Sequence, residues 1–459
     1  MSILSLWTAM NPESNKKIKG LIVAGMNSSD GKTLVTCMLL SALERRKISV
    51  QPFKIGPDYI DPGYHSFVSS KISLNLDPWI MQKELVEKEA KKFTENSFGI
   101  AEGVMGLFDG FDKKSDVGSS MEVSRWLGWP IILVVPCSNA GRSIIASIQG
   151  FIAEAGGERF FAGIILNKVN NKNHGEYLFD SCSSLKIPVM GILPETLKMR
   201  WKERHLGLKP VLEQKYVEKN ELADFAEKHI NLELITKFFS LKSKSSKFSK
   251  QQVINISTGI KKIALAHDEA FHFYYEANFL WLKEKLVDIV KFSPLHDSQV
   301  PKNVDAIILG GGFPEVFAEK ISFNKKMMIS LKKTIESGTL CYAECGGLMI
   351  LSEGIRLNSG KFLSMVGLVP GNVEMTKQLQ NFGYCKIKLP KYGEIRGHEF
   401  HYSRWLGELN NANLWDVTKN STGTFRKEGY SLKNLHASYV HLYFPQASKF
   451  ISDFFGLSK

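Results

Sequence analysis

Cys345 has the sequence surroundings of a nucleophile. It follows the apolar run TLCYA and precedes Gly346 and Gly347, so that a strand would meet a helix at a sharp turn with the thiol at its apex. A helix N-terminus lowers the pKa of a thiol, and the thiolate is the reactive form. We therefore predict that Cys345 attacks a carbonyl carbon. The other cysteines form no CxxC pair and are assigned to the core: Cys37, Cys137, Cys182, Cys341 and Cys385.

Two further segments carry groups that such a nucleophile needs. The run GGGFPE at 310–315 offers the backbone N–H groups of Gly311 and Gly312, which with that of Gly346 would form an oxyanion hole. His441 in ASYVHLYF is the predicted general base. His398 and His401 in RGHEFHYS are rival bases.

A second chemical site is indicated near the N-terminus by GMNSSDGKT, Gly25 to Thr33, between an apolar run and a helical pattern. Small residues let backbone N–H groups converge on phosphates, and the helix N-terminus favours their negative charge. Lys32 would contact the outer phosphates and Thr33 would place its hydroxyl on magnesium. The predicted ATP-binding residues of this loop are Gly25, Asn27, Ser28, Ser29, Gly31, Lys32 and Thr33. The first glycine lies one residue earlier than in the common phosphate-loop spacing.

Acidic residues follow two later strand-like runs. Asp58 and Asp61 lie in KIGPDYIDPGYH, and Glu102 and Asp109 lie in AEGVMGLFDG. The carboxyl ends of parallel strands are where α/β sheets bind ligands. One or two of these carboxylates, with phosphate oxygens and water, would hold Mg²⁺.

The elements that must position these residues indicate an α/β chain with two domains. Apolar runs at SVQPFK, FGIAEGV, PIILVVP and FAGIILNK follow the first strand and predict a mostly parallel sheet. KKIALAHDEAF, DIVKFSP, VDAIILGGGFPE and TLCYAECGG predict a second α/β series, with short strands and turns over 363–445. We predict an N-terminal extension at 1–17, an ATP-binding domain at 18–239, a Ser/Lys-rich linker at 240–260 and a second domain at 261–459.

The bulk composition excludes several classes of protein. The net charge is +13, but the lysines are scattered rather than gathered into one basic stripe, so nucleic acid is not an expected partner. No apolar run reaches membrane-spanning length, and we expect a cytoplasmic protein. The six cysteines in 459 residues form no close clusters with histidine, which argues against disulfides and structural zinc.

Eight motifs are spread over nearly the whole chain: GPDYIDPGYH, AEGVMGLFDG, LNKV, ERHLGL, HDEAF, GGGFPE, YAECGGL and RGHEFHYS. Taken together, they resemble the motifs of the cobyrinic acid a,c-diamide synthase family. The long phosphate loop is similar to that of dethiobiotin-synthetase-like ligases. The resemblance implies an N-terminal P-loop parallel-sheet domain followed by a class I glutamine amidotransferase-like α/β domain.

The resemblance also implies residue roles. Asn167 would lie near the adenine, and substrate activation would fall to Asp58, Tyr59, Asp61 and Asp109. Pro136 stands where the family usually has an acidic residue, which leaves Thr33, Asp58 and Glu102 for the metal. Many class I amidotransferases place a glutamate two residues after the histidine. This chain has Tyr443 there, so the group that orients His441 is not evident.

The implied activity is that of a carbon–nitrogen ligase which uses ATP, Mg²⁺ and L-glutamine to amidate the a and c acetates of cobyrinic acid through acyl phosphates, in cobalamin biosynthesis. Nickel-sirohydrochlorin and hydrogenobyrinic acid are alternative acceptors. A homodimer is compatible with the sequence. An alternative of another class is a P-loop ATPase that acts as a partner-binding switch, which would leave Cys345 and His441 without a function.

Overall fold

The computed structural model describes residues 18–196, 203–204, 207–208, 218–239, 259–407 and 415–457. The predicted N-terminal extension and nearly all of the predicted linker lie outside these residues, as do the side chains of the ERHLGL segment. Backbone contacts divide the chain into two compact units, Met1–Phe248 (unit 1) and Ser249–Lys459 (unit 2). The domain boundaries set from the sequence remain predictions.

Unit 1 is built on a parallel sheet of seven strands in the order β3-β2-β4-β1-β5-β6-β7. The strands are β1 (Gly20–Gly25), β2 (Val50–Ile55), β3 (Leu74–Leu76), β4 (Phe98–Gly106), β5 (Ile131–Pro136), β6 (Phe161–Val169) and β7 (Val189–Pro194). A parallel sheet must be covered on both faces, which is why its strands are nearly continuous apolar runs. Five of these strands were predicted from the sequence. β3 and β7 were not.

Helices connect and cover the unit 1 strands. They are α1 (Lys32–Arg45), α2 (Asp61–Ser69), α3 (Pro78–Phe93), α4 (Ser120–Leu127), α5 (Ile144–Ala155), α6 (Lys172–Ser181), α7 (Lys219–His229) and α8 (Leu232–Thr236). The helix α1 is almost wholly buried because it packs between the sheet and the later helix α7. A short antiparallel pair, β8 (Glu203–Arg204) and β9 (Gly207–Leu208), completes the described part of unit 1.

Unit 2 has a central six-stranded sheet in the order β11-β10-β12-β13-β23-β22, parallel except for β22. Its strands are β10 (Lys262–Ala266), β11 (Asp288–Phe292), β12 (Ala306–Leu309), β13 (Leu340–Glu344), β22 (Tyr430–Leu432) and β23 (Leu435–Ser438). The helices of this unit are α9 (Glu276–Glu284), α10 (Ala318–Phe323), α11 (Lys325–Glu336), α12 (Gly346–Leu351) and α13 (Ser448–Phe454). Separate apolar clusters lie on the two faces of the sheet.

The strand-rich region expected over 363–445 is present as two smaller sheets. One has the order β15-β14-β16-β19 and the other has the order β21-β20-β17-β18-β24. Their strands are β14 (Ser352–Arg356), β15 (Phe362–Ser364), β16 (Val369–Met375), β17 (Asn381–Leu389), β18 (Gly393–His401), β19 (Ser403–Leu406), β20 (Trp415–Lys419), β21 (Phe425–Glu428) and β24 (His441–Leu442). In the described part of the chain, no helix is both long and apolar enough to cross a membrane.

Candidate active site

The phosphate loop runs from the end of β1 to the start of α1, as its sequence predicts. Gly31 caps the helix with φ of 90°, a left-handed conformation that favours glycine. Ser29 also has a positive φ, 62°. That value explains why glycine would suit this position, since a Cβ is strained in the left-handed region.

Contacts from the loop itself and from the end of β6 hold the loop in shape. The Asp30 carboxylate accepts a hydrogen bond from the backbone N–H of Asn27 at 2.7 Å, and the Asn167 side chain donates to the Asp30 carbonyl at 2.7 Å. Lys168 donates to the Ser29 carbonyl at 2.7 Å. The Lys32 ammonium donates to the Asn27 carbonyl at 2.8 Å, so it already lies across the loop that would receive phosphates.

Glu102, at the middle of β4, is the centre of a buried polar cluster. Its Oε1 accepts from the Thr33 hydroxyl at 2.7 Å and from the Lys54 ammonium at 2.9 Å. Its Oε2 lies 2.6 Å from Nε2 of His65. Lys54 also pairs with Asp61 at 2.6 Å. Lys54 stands directly opposite Glu102 because β2 and β4 are neighbours in parallel register.

The charges of this cluster shift the pKa values of its members. Burial opposes the charge on Lys54, but Asp61, Glu102 and Asp58 together raise its pKa above the ordinary value. Burial likewise opposes charge on Glu102, whose pKa is nevertheless lowered by Lys54 and His65. Burial, followed by repulsion from Asp58 and Glu102, raises the pKa of Asp61. Burial and the nearby Lys54 charge lower the pKa of Lys32.

The other acidic candidates shape the loops around this cluster. Asp58 accepts from the backbone N–H groups of Ile60 and Asp61 at 2.8 Å and 2.9 Å, which places it at the start of α2. Asp61 is the first residue of that helix. Asp109 accepts from the Gly106 N–H at 2.8 Å. Tyr59, which follows Asp58 directly in the chain, is half-buried.

The donor set fits a magnesium ion only if phosphate and water complete the shell. Among the described residues, no three His, Cys, Asp or Glu side chains converge to hold a metal. Thr33 gives its hydroxyl proton to Glu102, which leaves its oxygen lone pairs for a cation. Mg²⁺ keeps several waters and is usually bound by few protein groups plus substrate phosphates, and these residues are compatible with that arrangement.

In unit 2, Cys345 forms the sharp turn that its sequence predicts. It stands between β13 and α12 with φ of 47° and ψ of −101°. Its backbone N–H donates to the Ser438 carbonyl at 2.7 Å, and its carbonyl accepts from Met349. Strained backbone at a strand-to-helix turn is the geometry of a nucleophile elbow.

The glycine-rich loop at 310–315 lies against this elbow. A Cβ on Gly346 would come within 3.0 Å of the Pro314 ring, and a Cβ on Gly347 would come within 2.2 Å of the Leu309 carbonyl. Glycine at both positions therefore lets the start of α12 approach the end of β12 and the loop that follows it. Gly312 has φ of 151°, and a Cβ there would meet the Ala270 carbonyl at 2.0 Å.

His441 lies on β24, with its ring against the same loop. A Cβ on Gly311 would fall 2.5 Å from Cε1 and 3.2 Å from Nε2 of the ring. The other ring nitrogen, Nδ1, is 3.3 Å from Oε2 of Glu344. Both side chains are buried. Glu344 immediately precedes Cys345, and no role was predicted for it from the sequence.

The two rival histidines, His398 and His401, have different surroundings from His441. His398 is the strand partner of His441, and burial followed by the His441 charge lowers its pKa to about 3. Such a histidine is neutral and a weak base. Nδ1 of His401 lies 2.8 Å from the Ser403 carbonyl, and its ring stacks on Tyr439 with centroids 3.9 Å apart.

The thiol of Cys345 does not have the low pKa expected from its helix N-terminus. Burial raises the pKa, and the carboxylate of Glu315 raises it further, although the Gly346 N–H acts in the expected direction. The expectation was wrong because it counted the helix end and left out desolvation, which is the larger effect here. A base that takes up the thiol proton is correspondingly more important.

Comparisons with known proteins divide the chain as its backbone contacts do, into an N-terminal and a C-terminal part. Residues 21–208 match the CobQ/CobB/MinD/ParA nucleotide binding domain, and residues 262–449 match the CobB/CobQ-like glutamine amidotransferase domain. The chain thus joins a nucleotide-binding P-loop domain to a glutamine amidotransferase domain, which is the class of glutamine-dependent carbon–nitrogen ligases.

Relatives narrow the class to one family. The cobyrinate a,c-diamide synthase of Caldanaerobacter subterraneus is 39% identical over 432 residues, which are 92% of this chain and 94% of that protein. The enzyme of the same name from Picrophilus torridus is 38% identical, over 94% of this chain and 96% of its own length. That from Syntrophotalea carbinolica is 35% identical over 95% of this chain and 98% of its own length. The chain belongs to the cobyrinate a,c-diamide synthase family.

Proposed function

We propose that this protein amidates the a and c acetate carboxylates of cobyrinic acid, using ATP and L-glutamine. The observation that carries the proposal is the strained Cys345 elbow with His441 nearby, in a chain that also has an intact phosphate loop ending in Lys32 and Thr33. Either feature alone is compatible with other activities. An enzyme that makes an amide from a carboxylate and glutamine requires both.

In unit 1, hydroxide is too poor a leaving group for ammonia to displace it from a carboxylate. Transfer of the γ-phosphoryl group of ATP to the substrate carboxylate would give an acyl phosphate with phosphate as its leaving group. The Lys32 ammonium would leave the Asn27 carbonyl and neutralise the transferred phosphoryl oxygens. Thr33, Asp58 and Glu102 would hold Mg²⁺, which would supply further charge neutralisation. Tyr59, Asp61 and Asp109 would position the acceptor, and Asn167 would lie near the adenine.

In unit 2, His441 would take the proton of Cys345 as the thiolate attacks the amide carbon of glutamine. The oxyanion would be stabilised by the N–H groups of Gly311, Gly312 and Gly346. Collapse would give a thioester and ammonia, and water would then release glutamate. Ammonia would attack the acyl phosphate to give the amide and phosphate, so two amidations would consume two ATP and two glutamines.

The test is to incubate the purified protein with ATP, Mg²⁺, cobyrinic acid and either glutamine or ammonium, and to follow the mass of the macrocycle. Two successive acid-to-amide changes are expected. Cys345→Ala should lose them with glutamine and keep them with ammonium, while Cys182→Ala, a buried cysteine of unit 1, should keep both. A macrocycle of unchanged mass would refute this acceptor, and nickel-sirohydrochlorin and hydrogenobyrinic acid would be assayed next. Homodimer formation and a cytoplasmic location stay predictions of the sequence.

A further inference from the structure

The carboxylate of Glu344 is held in one orientation by two donors. Its Oε1 accepts from the Tyr342 hydroxyl at 2.8 Å and from the backbone N–H of Leu442 at 3.0 Å. Its Oε2 faces Nδ1 of His441 at 3.3 Å. Glu344 and His441 are each at most 5% exposed, so water does not compete for these contacts. The carboxylate therefore has one oxygen fixed by the scaffold and one directed at the histidine.

This arrangement determines which nitrogen of His441 carries the proton. An ionised carboxylate can only accept, so Nδ1 must donate to it and Nε2 is left as the basic nitrogen. Nε2 is on the side of Gly311, in the loop that borders the Cys345 elbow. We infer that Glu344 is the positioning residue of the glutaminase site, in place of the glutamate that other amidotransferases carry two residues after the histidine. This inference rests on the proposed glutaminase function.

The packing around position 443 explains why the carboxylate is at Glu344 instead. The position two residues after His441 is Tyr443, which is buried and packs edge-on against Tyr275 with ring centroids 5.5 Å apart. A carboxylate there would have to replace that aromatic contact. β13 delivers Glu344 and Cys345 as consecutive residues, so one strand end supplies both the nucleophile and the group that orients its base.

Glu344→Gln distinguishes orientation from simple packing. The glutamine carbonyl would take the place of Oε1, because Tyr342 and Leu442 both donate there. The amide NH₂ would then face Nδ1 and donate to it, which forces the proton of the neutral ring onto Nε2. In the Ser-His-Asp enzymes the equivalent change lowers kcat by about 10⁴-fold through the wrong tautomer.

The experiment measures glutamate release from glutamine together with ammonium-supported amidation. We expect Glu344→Gln to lower the kcat for glutamine by about 10²- to 10⁴-fold with little change in KM, and to leave ammonium-supported amidation unchanged. Glu344→Asp, which keeps an anionic acceptor, should retain more activity than the glutamine variant. Glu353→Gln, an exposed change in the same unit, should match the wild type.

A second measurement does not depend on the variant's folding. In wild-type protein labelled with ¹⁵N-histidine, His441 should show the tautomer with the proton on Nδ1, and a proton on Nε2 in the neutral ring would overturn the inference. Full kcat in folded Glu344→Gln would also overturn it while leaving the proposed function intact. A wild-type protein that releases no glutamate under any condition would instead refute the proposed glutaminase.

Discussion

At the scale of single residues, the phosphate loop depends on a contact that the P-loop motif does not contain. Asn167 lies on β6, well over a hundred residues from the loop, yet its amide holds the Asp30 carbonyl at 2.7 Å. A Cβ on Gly31 would fall 2.4 Å from that amide nitrogen. Glycine is therefore favoured at position 31 for two reasons. It adopts the left-handed backbone conformation without strain, and it leaves room for the Asn167 side chain.

We expect Gly31→Ala to weaken ATP binding by about 10-fold. The added methyl group would displace Asn167 and release the Asp30 carbonyl. In addition, alanine in the left-handed conformation costs roughly 1–2 kcal/mol. Isothermal titration with a non-hydrolysable ATP analogue measures the change. Gly128→Ala is the matched control, since Gly128 is also left-handed, with φ of 64°, but no atom of the described residues lies within 4 Å of where its methyl group would be. It should lower thermal stability without changing ATP affinity, and an equal loss of affinity in both variants would contradict the argument.

The residues missed from the sequence share a physical reason. Lys54, His65 and Glu344 all lie within or beside quoted motifs, but their roles depend on partners that only the fold supplies. Lys54 meets Glu102 because β2 and β4 are neighbours in register, which spacing along the chain does not reveal. Glu344 meets His441 across 97 residues. Motifs located the loop and the thiol because glycine positions report backbone geometry directly.

At the scale of elements, the start of α12 must approach the loop after β12. The Leu309 carbonyl would be 2.2 Å from a Cβ on Gly347, closer than any side chain tolerates. If α12 shifted away from the Leu309 carbonyl, it would also move Cys345, which immediately precedes the helix. The approach of these two elements therefore sets the distance between the Cys345 thiol and the 310–315 loop.

We expect Gly347→Ala to lower the kcat/KM for glutamine by about 10²-fold, since a displacement near 1 Å at a reacting centre costs that much. Ammonium-supported amidation should be unchanged. Gly150→Ala, in α5 of unit 1, offers the contrast because its added methyl group would have no described neighbour within 4 Å. That change should leave both activities intact and raise stability by about 1 kcal/mol. Normal glutamine kinetics in Gly347→Ala would show that α12 can move freely.

Strand β23 carries a histidine that should make unit 2 sensitive to acid. His436 is buried between Trp415 and Tyr342, with ring centroids at 4.2 Å and 5.5 Å, and burial lowers its pKa from 6.5 to about 3. The folded protein therefore binds fewer protons than the unfolded chain between these two pH values. The contribution of His436 to the free energy of unfolding is therefore fully present above pH of about 6.5. It falls by about 1.4 kcal/mol per pH unit as the pH drops toward 3.

We expect His436→Phe to remove this part of the acid sensitivity. The quantity to compare is the free energy of unfolding of the variant minus that of the wild type. This difference should be about 2 kcal/mol more favourable to the variant at pH of about 5 than at pH of about 7.5, because 1.5 pH units each contribute about 1.4 kcal/mol. Phenylalanine keeps the stacking on Trp415. Urea unfolding at the two pH values measures the effect, and His296→Phe, at an exposed position, is the comparison. Equal pH slopes for His436→Phe and wild type would rule out the buried neutral histidine.

Element prediction succeeded where strands were long and apolar and failed where they were short or interrupted. β3 has three residues, too few for any pattern to show. β7 contains Gly191 within VMGILP, and glycine in a strand weakens the signal. The parallel sheet and the elbow followed from the sequence because both depend on local runs. The smaller sheets around β17 and β18 were foreseen only as a strand-rich region, since antiparallel register depends on pairing between distant segments.

At the scale of the whole molecule, each unit carries the residues that we propose for one half-reaction. The phosphate loop, Glu102 cluster and acidic loops all belong to unit 1, and Cys345, His441, Glu344 and the 310–315 loop all belong to unit 2. Each unit also has its own apolar core. A defect in one site should therefore leave the other half-reaction working in the same chain.

This separation predicts that two inactive variants complement each other in solution. Lys32→Met should hydrolyse glutamine but make no acyl phosphate, and Cys345→Ala should do the reverse. Mixed together with glutamine, ATP, Mg²⁺ and cobyrinic acid, they should form amide after a lag in which ammonia accumulates, and an enzyme that consumes ammonia should abolish the product. The lag follows because ammonia must leave one molecule and reach another. If no amide forms although added ammonium sustains Cys345→Ala and Lys32→Met releases glutamate, the half-reactions must require both intact sites in one chain.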